Sequence, residues 1–323
     1  MTKAIVLEKH GGPANLVWQN IPDVPPLPEE VTIRQLFTSV NYADINFRNG
    51  TYKPPKLPIV LGREAVGIIE ETGLAVKNFK VGDRVGYVSH FGGYSQRNNI
   101  NEKFLIPIPN SIPNELAAAS LLKGCTAQYL LRQTYNVKKG DIVLIHAAAG
   151  GVGLIACQWA KHLGATVIGT VSTEEKAKVA RTNGCDHVIN YLDQNFFDIV
   201  NDITNGNGVD YICDSVGKDT LINSMKSLKH HGTLAIYGSS SGNVDPNFFN
   251  RFLSEKFIIK TTLPGYINTR KKLISCSTDF FNVIQAGIIN ILIDNKLNIK
   301  HVSEAHRKIE NRETIGSTIL EID

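Results

Sequence analysis

From about residue 140 onward, short apolar runs alternate with stretches whose apolar side chains recur every three or four positions. This is the pattern of strands and amphipathic helices taking turns, with the strands buried on both faces of a parallel sheet. Six runs carry the strand signature: Asp141–Ala147, Ala165–Val171, Asp186–Tyr191, Val209–Asp214, Gly232–Tyr237 and Lys256–Thr262. Between the first two, Val152, Ile155, Ala156, Trp159 and Leu163 keep helical spacing ahead of Gly164, which predicts an amphipathic helix closed by a C-terminal glycine. Six strands in such a series are what a doubly wound dinucleotide fold requires.

Before residue 114 the rhythm differs. Short alternating runs are punctuated by Gly11-Gly12-Pro13, Pro25-Pro26, Gly82-Asp83 and Gly92-Gly93, as in a small β-barrel or sandwich. A helical segment from about Asn114 to Tyr135 joins the two parts, and the tail from Leu263 is expected to pack back on the first. The expected domains are therefore 1–124, 125–262 for the nucleotide fold, and 263–323 as a return segment completing the first.

At 323 residues the chain exceeds the roughly 250–300 over which a single core keeps growing, in keeping with two domains. Hydrophobic residues at 42% and charged residues at 20% are an ordinary globular mixture. Lys and Arg exceed Asp and Glu by only 34 to 30 and are dispersed apart from clusters such as Arg270-Lys271-Lys272, which argues against nucleic acid as the main partner. Residues 1–9 alternate like a half-buried strand and lack the apolar core of a secretory signal, so the protein is expected to stay unexported. The longest mostly uncharged stretch, 142–160, carries three glycines, His146 and Gln158, and no membrane span is expected. Five scattered cysteines cannot all pair within one chain; reduced thiols in a cytoplasmic protein fit best.

Strand Asp141–Ala147 runs straight into Ala147-Ala148-Ala149-Gly150-Gly151-Val152-Gly153 and then into the helix. Such a glycine turn lets backbone N–H groups approach a pyrophosphate, whose charge the helix N-terminus also favours. Ala148 holds the place of the first glycine in the G-x-G-x-x-G pattern, with Gly150 and Gly153 in the other two. The second strand ends Gly169-Thr170-Val171-Ser172, without the carboxylate that would take the ribose 2′-hydroxyl of NAD. Ser172 and Thr173 offer hydroxyls and Lys176 an ammonium, groups suited to a 2′-phosphate, so NADPH is the expected cofactor.

The run from His146 to Lys161 resembles the bacterial quinone oxidoreductases, relatives of zeta-crystallin in the medium-chain dehydrogenase/reductase superfamily. Asn41-Tyr42-Ala43-Asp44, Arg48 through Tyr52, Leu61-Gly62-Arg63-Glu64-Ala65, Gly82-Asp83-Arg84-Val85, Asp214-Ser215-Val216-Gly217 and Gly316-Ser317 follow in the family's order, so the likeness spans essentially the whole chain. It implies an α/β protein with a GroES-like β-barrel catalytic domain, a doubly wound Rossmann domain with a six-stranded parallel sheet, and NADPH in the cleft between them. Carried over by position, Asn41 and Tyr52 are implied near the nicotinamide, and Tyr129 with Gly150, Gly151 and Val152 at the ribose and pyrophosphate. Ser172, Lys176 and Tyr191 are implied at the adenosine end, Ser215 near the adenine, and Tyr237, Ser240 and Arg312 around the nicotinamide and phosphates. Bland alternatives stand beside these: Tyr191 could cap the sheet edge and Arg312 could be a surface ion-pair partner.

Zinc-dependent members of the superfamily surround their metal with a Cys, a His and a further Cys or Asp. Here Asn41 occupies the first of these positions, and the Gly-His-Glu pattern reads Gly62-Arg63-Glu64, so a guanidinium replaces an imidazole. His301 and His306 have a zinc-like separation but no Cys pair accompanies them, and a solvated helix face is expected there. Cys125 reads as a small packed residue. Asn41, Asp44 and Arg48 would share one face if their segment is helical, forming either a local Asp44/Arg48 ion pair or a direct cofactor contact.

The expected activity is metal-free NADPH-dependent quinone reduction by a homodimer. Asn41 and Tyr52 would serve as polar donors, because an electron-poor acceptor needs orientation and hydrogen bonds more than a Lewis acid. The alternatives are reduction of conjugated enals, enones or enoyl thioesters, and an NADPH-binding protein with nucleic-acid affinity.

Overall fold

The computed structural model describes residues 1–242 and 256–323. Eight strands precede the first long helix: β1 (Thr2–Leu7), β2 (Leu16–Ile21), β3 (Glu30–Ser39), β4 (Ile59–Val60), β5 (Glu64–Thr72), β6 (Arg84–Val88), β7 (Arg97–Asn101) and β8 (Ile106–Pro107). Their β-branched and aromatic residues suit a pleated, half-buried surface. A short helix α1 (Tyr42–Asn49) follows β3, and α2 (Asn114–Tyr129) follows β8. The nucleotide-type part supplies β9 (Ile142–Ile145), α3 (Gly151–His162), β10 (Thr166–Val171), α4 (Glu174–Thr182), β11 (His187–Asn190), α5 (Phe196–Ile203), β12 (Val209–Asp214), α6 (Leu221–Ser227), β13 (Leu228–Ile236) and β14 (Phe257–Lys260). Then come α7 (Leu263–Tyr266), α8 (Arg270–Gln285), β15 (Ile293–Asn298), α9 (Val302–Glu310) and β16 (Ser317–Glu321).

Two units result. One comprises Met1–Leu122, Asn268–Phe281 and Ile291–Asp323; the other comprises Lys123–Ile267 and Asn282–Asn290. In the first, a small antiparallel sheet β2-β1-β4 accompanies a larger one in the order β15-β16-β3-β5-β6-β8, with β7 on β3. The tail strand β16 pairs antiparallel with β3, Ile319 opposite Ser39, so the return of the chain is fixed by backbone hydrogen bonds. Ile5, Leu7, Leu61 and Tyr94 pack with Ile299, Val302 and Leu320 of the tail in one buried cluster.

The second unit holds six parallel strands ordered β11-β10-β9-β12-β13-β14. The order reverses between β9 and β12, and ligands of such sheets bind at the carboxyl ends of the strands flanking this switch. Leu144, Ile168, Ile189, Ile212 and Leu234 of successive strands pack beneath Phe196, Leu221 and Met225 of the covering helices.

The expected elements are present with three differences. The expected strand Gly232–Tyr237 starts earlier, at Leu228, because β13 takes a bulge against β12 between Val209 and Tyr211; the exposed Lys229, His230 and His231 hide that extension from an apolar count. The helix expected to reach Tyr135 is α-helical only to Tyr129 and ends in a wider π turn, Leu130–Thr134, where Tyr211 Oη donates to the Leu130 carbonyl at 2.9 Å. The tail is not wholly a return segment. Residues 263–267 and 282–290 group with the second unit, the latter tied by Gln158, whose amide donates to Asn290 O at 3.0 Å and accepts from Asn290 N–H at 2.8 Å.

Candidate functional site

The glycine turn is built as its sequence suggests. Ala147 takes a left-handed φ of 52°, Gly150 N–H closes on Ala147 O at 2.9 Å, and Ala148 N–H reaches Thr170 O of β10 at 3.0 Å. A Cβ on Gly153 would fall 2.2 Å from Ala147 O, so only glycine lets α3 start this close to the turn. Gly150 caps α3 without a side-chain partner for its first N–H groups, which point outward with the positive end of the helix dipole. This backbone cradle fits a diphosphate.

At the end of β10, Ser172 is half-buried and Thr173 caps α4, its Oγ1 accepting from Lys176 N–H at 3.2 Å. Glu174, which could oppose an incoming phosphate, is turned to Arg181 at 2.8 Å. Tyr191 follows β11, its N–H on Val171 O at 3.1 Å, so Ser172, Thr173, Lys176 and Tyr191 meet at one end of neighbouring strands. Past β12, the buried Asp214 carboxylate accepts from Val216 and Gly217 N–H at 2.7 and 2.9 Å, shaping the turn that carries Ser215. Tyr237 N–H bonds Asp214 O and Ser240 N–H bonds Ser215 O, which gathers Ser215, Tyr237 and Ser240. Tyr129 is buried and stacks on Tyr266 with centroids 4.5 Å apart, and burial pushes its hydroxyl well above the usual tyrosine range.

In the first unit Asn41 begins α1. Its backbone N–H goes to Asp44 Oδ2 at 2.9 Å, and its side-chain Nδ2 donates to Glu64 Oε1 at 2.8 Å. Glu64 is 1% exposed and also accepts from Ser39 Oγ at 2.5 Å and from Leu122 N–H at 2.8 Å. A carboxylate only accepts, so the amide nitrogen of Asn41 must face it, leaving one N–H of that amide to donate elsewhere. Tyr52 sets its ring edge-on to Phe47, centroids 5.5 Å apart. The Arg63 guanidinium lies 5.0 Å from the Phe47 ring centre and 4.5 Å from that of Phe91, and donates to Ser89 O at 2.5 Å. Asp44 is fully buried, which raises its carboxyl to about 7 against the pull of the Asn41 N–H and of the Arg63 charge.

Arg48 does not pair with Asp44. It is 2% exposed and bonds Glu310 Oε1 at 2.5 Å, Gly11 O at 3.0 Å and His306 Nδ1 at 3.3 Å. The solvated helix face expected at His301 and His306 is half right: His301 is exposed, whereas His306 is fully buried, with Nε2 3.2 Å from Tyr94 Oη. Arginine cannot accept, so Nδ1 of His306 does, and burial beside Arg48 pushes its imidazole down to about 3. Arg312 is exposed, in a left-handed turn after α9, and its charge acts on the half-buried Tyr42 of α1. Cys125 is fully buried, as expected of a small packed residue.

Residues 27–141 match the family described as alcohol dehydrogenase GroES-like domain, and residues 151–279 that described as zinc-binding dehydrogenase. Over 99% of both chains, the protein is 42% identical to 2-haloacrylate reductase of a Burkholderia species and 41% identical to quinone oxidoreductase 1 of Escherichia coli. The crystal structure of Escherichia coli quinone oxidoreductase complexed with NADPH superposes with a TM-score of 0.95 at 40% identity, covering 99% of this chain and all of that one. The chain belongs to the quinone oxidoreductase family. Its first unit is the GroES-like part and its second the Rossmann part.

As a quinone oxidoreductase relative it also matches a family named for zinc, and its donor set does not fit that metal. The side-chain amide of Asn41 stands where a thiolate ligand would and turns an N–H to Glu64, Arg63 is a permanent cation, and no group of three His, Cys, Asp or Glu side chains able to hold a metal occurs among the described residues. Glu64 is the residue that site reasoning missed. Its signal was its place beside Arg63 in the Gly-Arg-Glu motif, but its partners Ser39, Asn41 and Leu122 lie far along the chain.

Proposed function

We propose that the protein reduces quinones with NADPH and without a metal. It is an oxidoreductase, and bound NADPH supplies the reducing equivalents. The N–H groups of Gly150, Gly151 and Val152 would hold the diphosphate; Ser172, Thr173 and Lys176 the 2′-phosphate; Tyr191 and Ser215 the adenosine. Tyr129, Tyr237 and Ser240 would line the path of the nicotinamide half. One observation carries the quinone reading: where a metal would need ligands, Asn41 is oriented as a hydrogen-bond donor by Glu64, with Tyr52 nearby through Phe47. A quinone is electron-poor enough to be reduced when its ring is held and its developing oxyanion meets such donors, and solvent can complete the hydroquinone.

The likeness to 2-haloacrylate reductase favours a second reading, reduction of an activated carbon–carbon double bond on the same residues. NADPH oxidation by the purified protein, followed with small ortho- and para-quinones, with enones and 2-haloacrylates, and with no acceptor, separates the two. Quinone-dependent oxidation is expected, and Tyr52→Phe should lower it roughly 10- to 1000-fold, the range single oxyanion donors supply. Efficient reduction of enones or haloacrylates with every quinone ignored would install the second reading. Tight NADPH binding with no turnover at all would point to a binding protein.

A further inference from the structure

Two arginines of the first unit are held by carboxylates. Arg48 has a carboxylate, a backbone carbonyl and a histidine nitrogen, and Arg97 has Glu70 at 2.9 Å and Glu71 at 2.8 Å. Arg63 differs. Of the five N–H groups a guanidinium offers, the Ser89 carbonyl takes one, and the Phe47 and Phe91 rings hold its plane without accepting in-plane hydrogen bonds. Among the described residues no carboxylate stands within ion-pair distance of it.

The negative group whose field acts on it is a poor counter-charge. Asp44 acts on Arg63 only through the field, its Oδ2 already takes the Asn41 N–H, and burial keeps its carboxyl partly protonated near neutrality. His90, close enough to feel Arg63, is pushed below the ordinary histidine range chiefly by burial; an imidazole cannot balance a guanidinium, and this one adds no second positive charge near neutrality. A half-buried cation with spare donors between two aromatic rings attracts an anionic oxygen far more strongly than a solvated lysine would.

The position of Arg63 gives this meaning. Gly62 before it has φ 86°, and a Cβ there would lie 2.5 Å from Tyr94 N, so the turn that delivers Arg63 is fixed. Glu64 after it orients Asn41, and the Phe47 ring against which Arg63 lies also meets Tyr52. We propose that Arg63 is the acceptor-anchoring residue of this enzyme, holding an anionic oxygen of the acceptor and selecting acceptors that carry a carboxylate or sulfonate beside the reducible group. The inference rests on reading Asn41 and Tyr52 as the reacting end.

The test compares 1,2-naphthoquinone-4-sulfonate with neutral 1,2-naphthoquinone in wild type, Arg63→Gln and Arg63→Lys, and titrates naphthalene-2-sulfonate, an anionic probe with no reducible group, into the NADPH-loaded proteins. Arg63→Gln should cost the sulfonated quinone roughly 10- to 100-fold in kcat/KM, mostly through KM, as expected for loss of one partner of a desolvated charge pair. Neutral quinone should change by less than about 3-fold, and Arg63→Lys should recover part of the loss, a point charge without the planar fork. Binding of naphthalene-2-sulfonate should weaken in step while NADPH affinity holds. Equal losses for both quinones, or an unchanged dissociation constant for the probe, would overturn the proposal. Arg63-dependent probe binding without turnover of either quinone would leave Arg63 in place and remove the quinone reading instead.

Discussion

Lys176 and Asn41 show what one side chain can and cannot do alone. In the proposed site Lys176 and Ser172 would meet a 2′-phosphate carrying close to two negative charges, and Glu174 is diverted to Arg181. NADPH should therefore bind well over tenfold more tightly than NADH, a gap of more than about 1.4 kcal/mol. Lys176→Ala should narrow that gap by weakening NADPH alone. Titration of both cofactors into both proteins measures it, and an unchanged preference in the variant would remove Lys176 from the site. Asn41 depends on others: the nitrogen end of its amide is chosen by a carboxylate 23 residues away. That it is a polar donor was readable from its residue type, and its orientation was not.

At the scale of elements, α1 carries the most unusual group. Asp44 sits in its first turn, where a carboxylate normally gains from the N-terminal amides, yet complete burial lifts it from 3.8 to about 7. Between those values the folded protein keeps a proton that the unfolded chain has released. The contribution of Asp44 to stability thus falls as pH rises from about 4 to about 7 and is level above, by an amount on the order of a few kcal/mol. Asp44→Asn keeps an acceptor for the Asn41 N–H and cannot ionise. Its melting temperature relative to wild type should rise steadily across that window; a flat or falling difference would mean that Asp44 is charged throughout. The phosphate turn behaves in the opposite manner, since strand, glycines and helix follow one another within a dozen residues and neighbouring positions alone dictate its form.

For the whole molecule, the departure from a zinc ligand set predicts that activity survives prolonged chelation and that elemental analysis of the purified protein finds no stoichiometric zinc. Association is a second expectation at this scale. Strand β14 lies at the end of its sheet, pairing among the described residues only with β13, and Phe257 is 57% exposed with Ile258 and Ile259 half-buried beside it. Such an apolar edge is expected to pair with a second copy across a twofold axis. Sedimentation at micromolar concentration should show a dimer, and Phe257→Lys should shift it toward monomer. A wild type that sediments only as monomer would discard the edge as an interface.

The sequence by itself determined the six-stranded nucleotide fold, the phosphate turn and the absence of a carboxylate at the end of β10, because periodicity and turn chemistry are local and a strand buried on both faces must be apolar throughout. It also placed the barrel-like strands before residue 114, though their pairing could not be read. Only the tertiary structure decided who meets whom. His306 looks like a helix-surface residue and is buried between Tyr94 and Arg48; Arg48 looks like a partner for Asp44 four residues before it and bonds Glu310 instead. Periodicity reports which face of an element is buried, and carries no information on the polar group that waits on the opposing element. A buried charge must nonetheless find such a group, and the strand β16 that returns the tail to β3 brings α9, with Glu310 and His306, to Arg48.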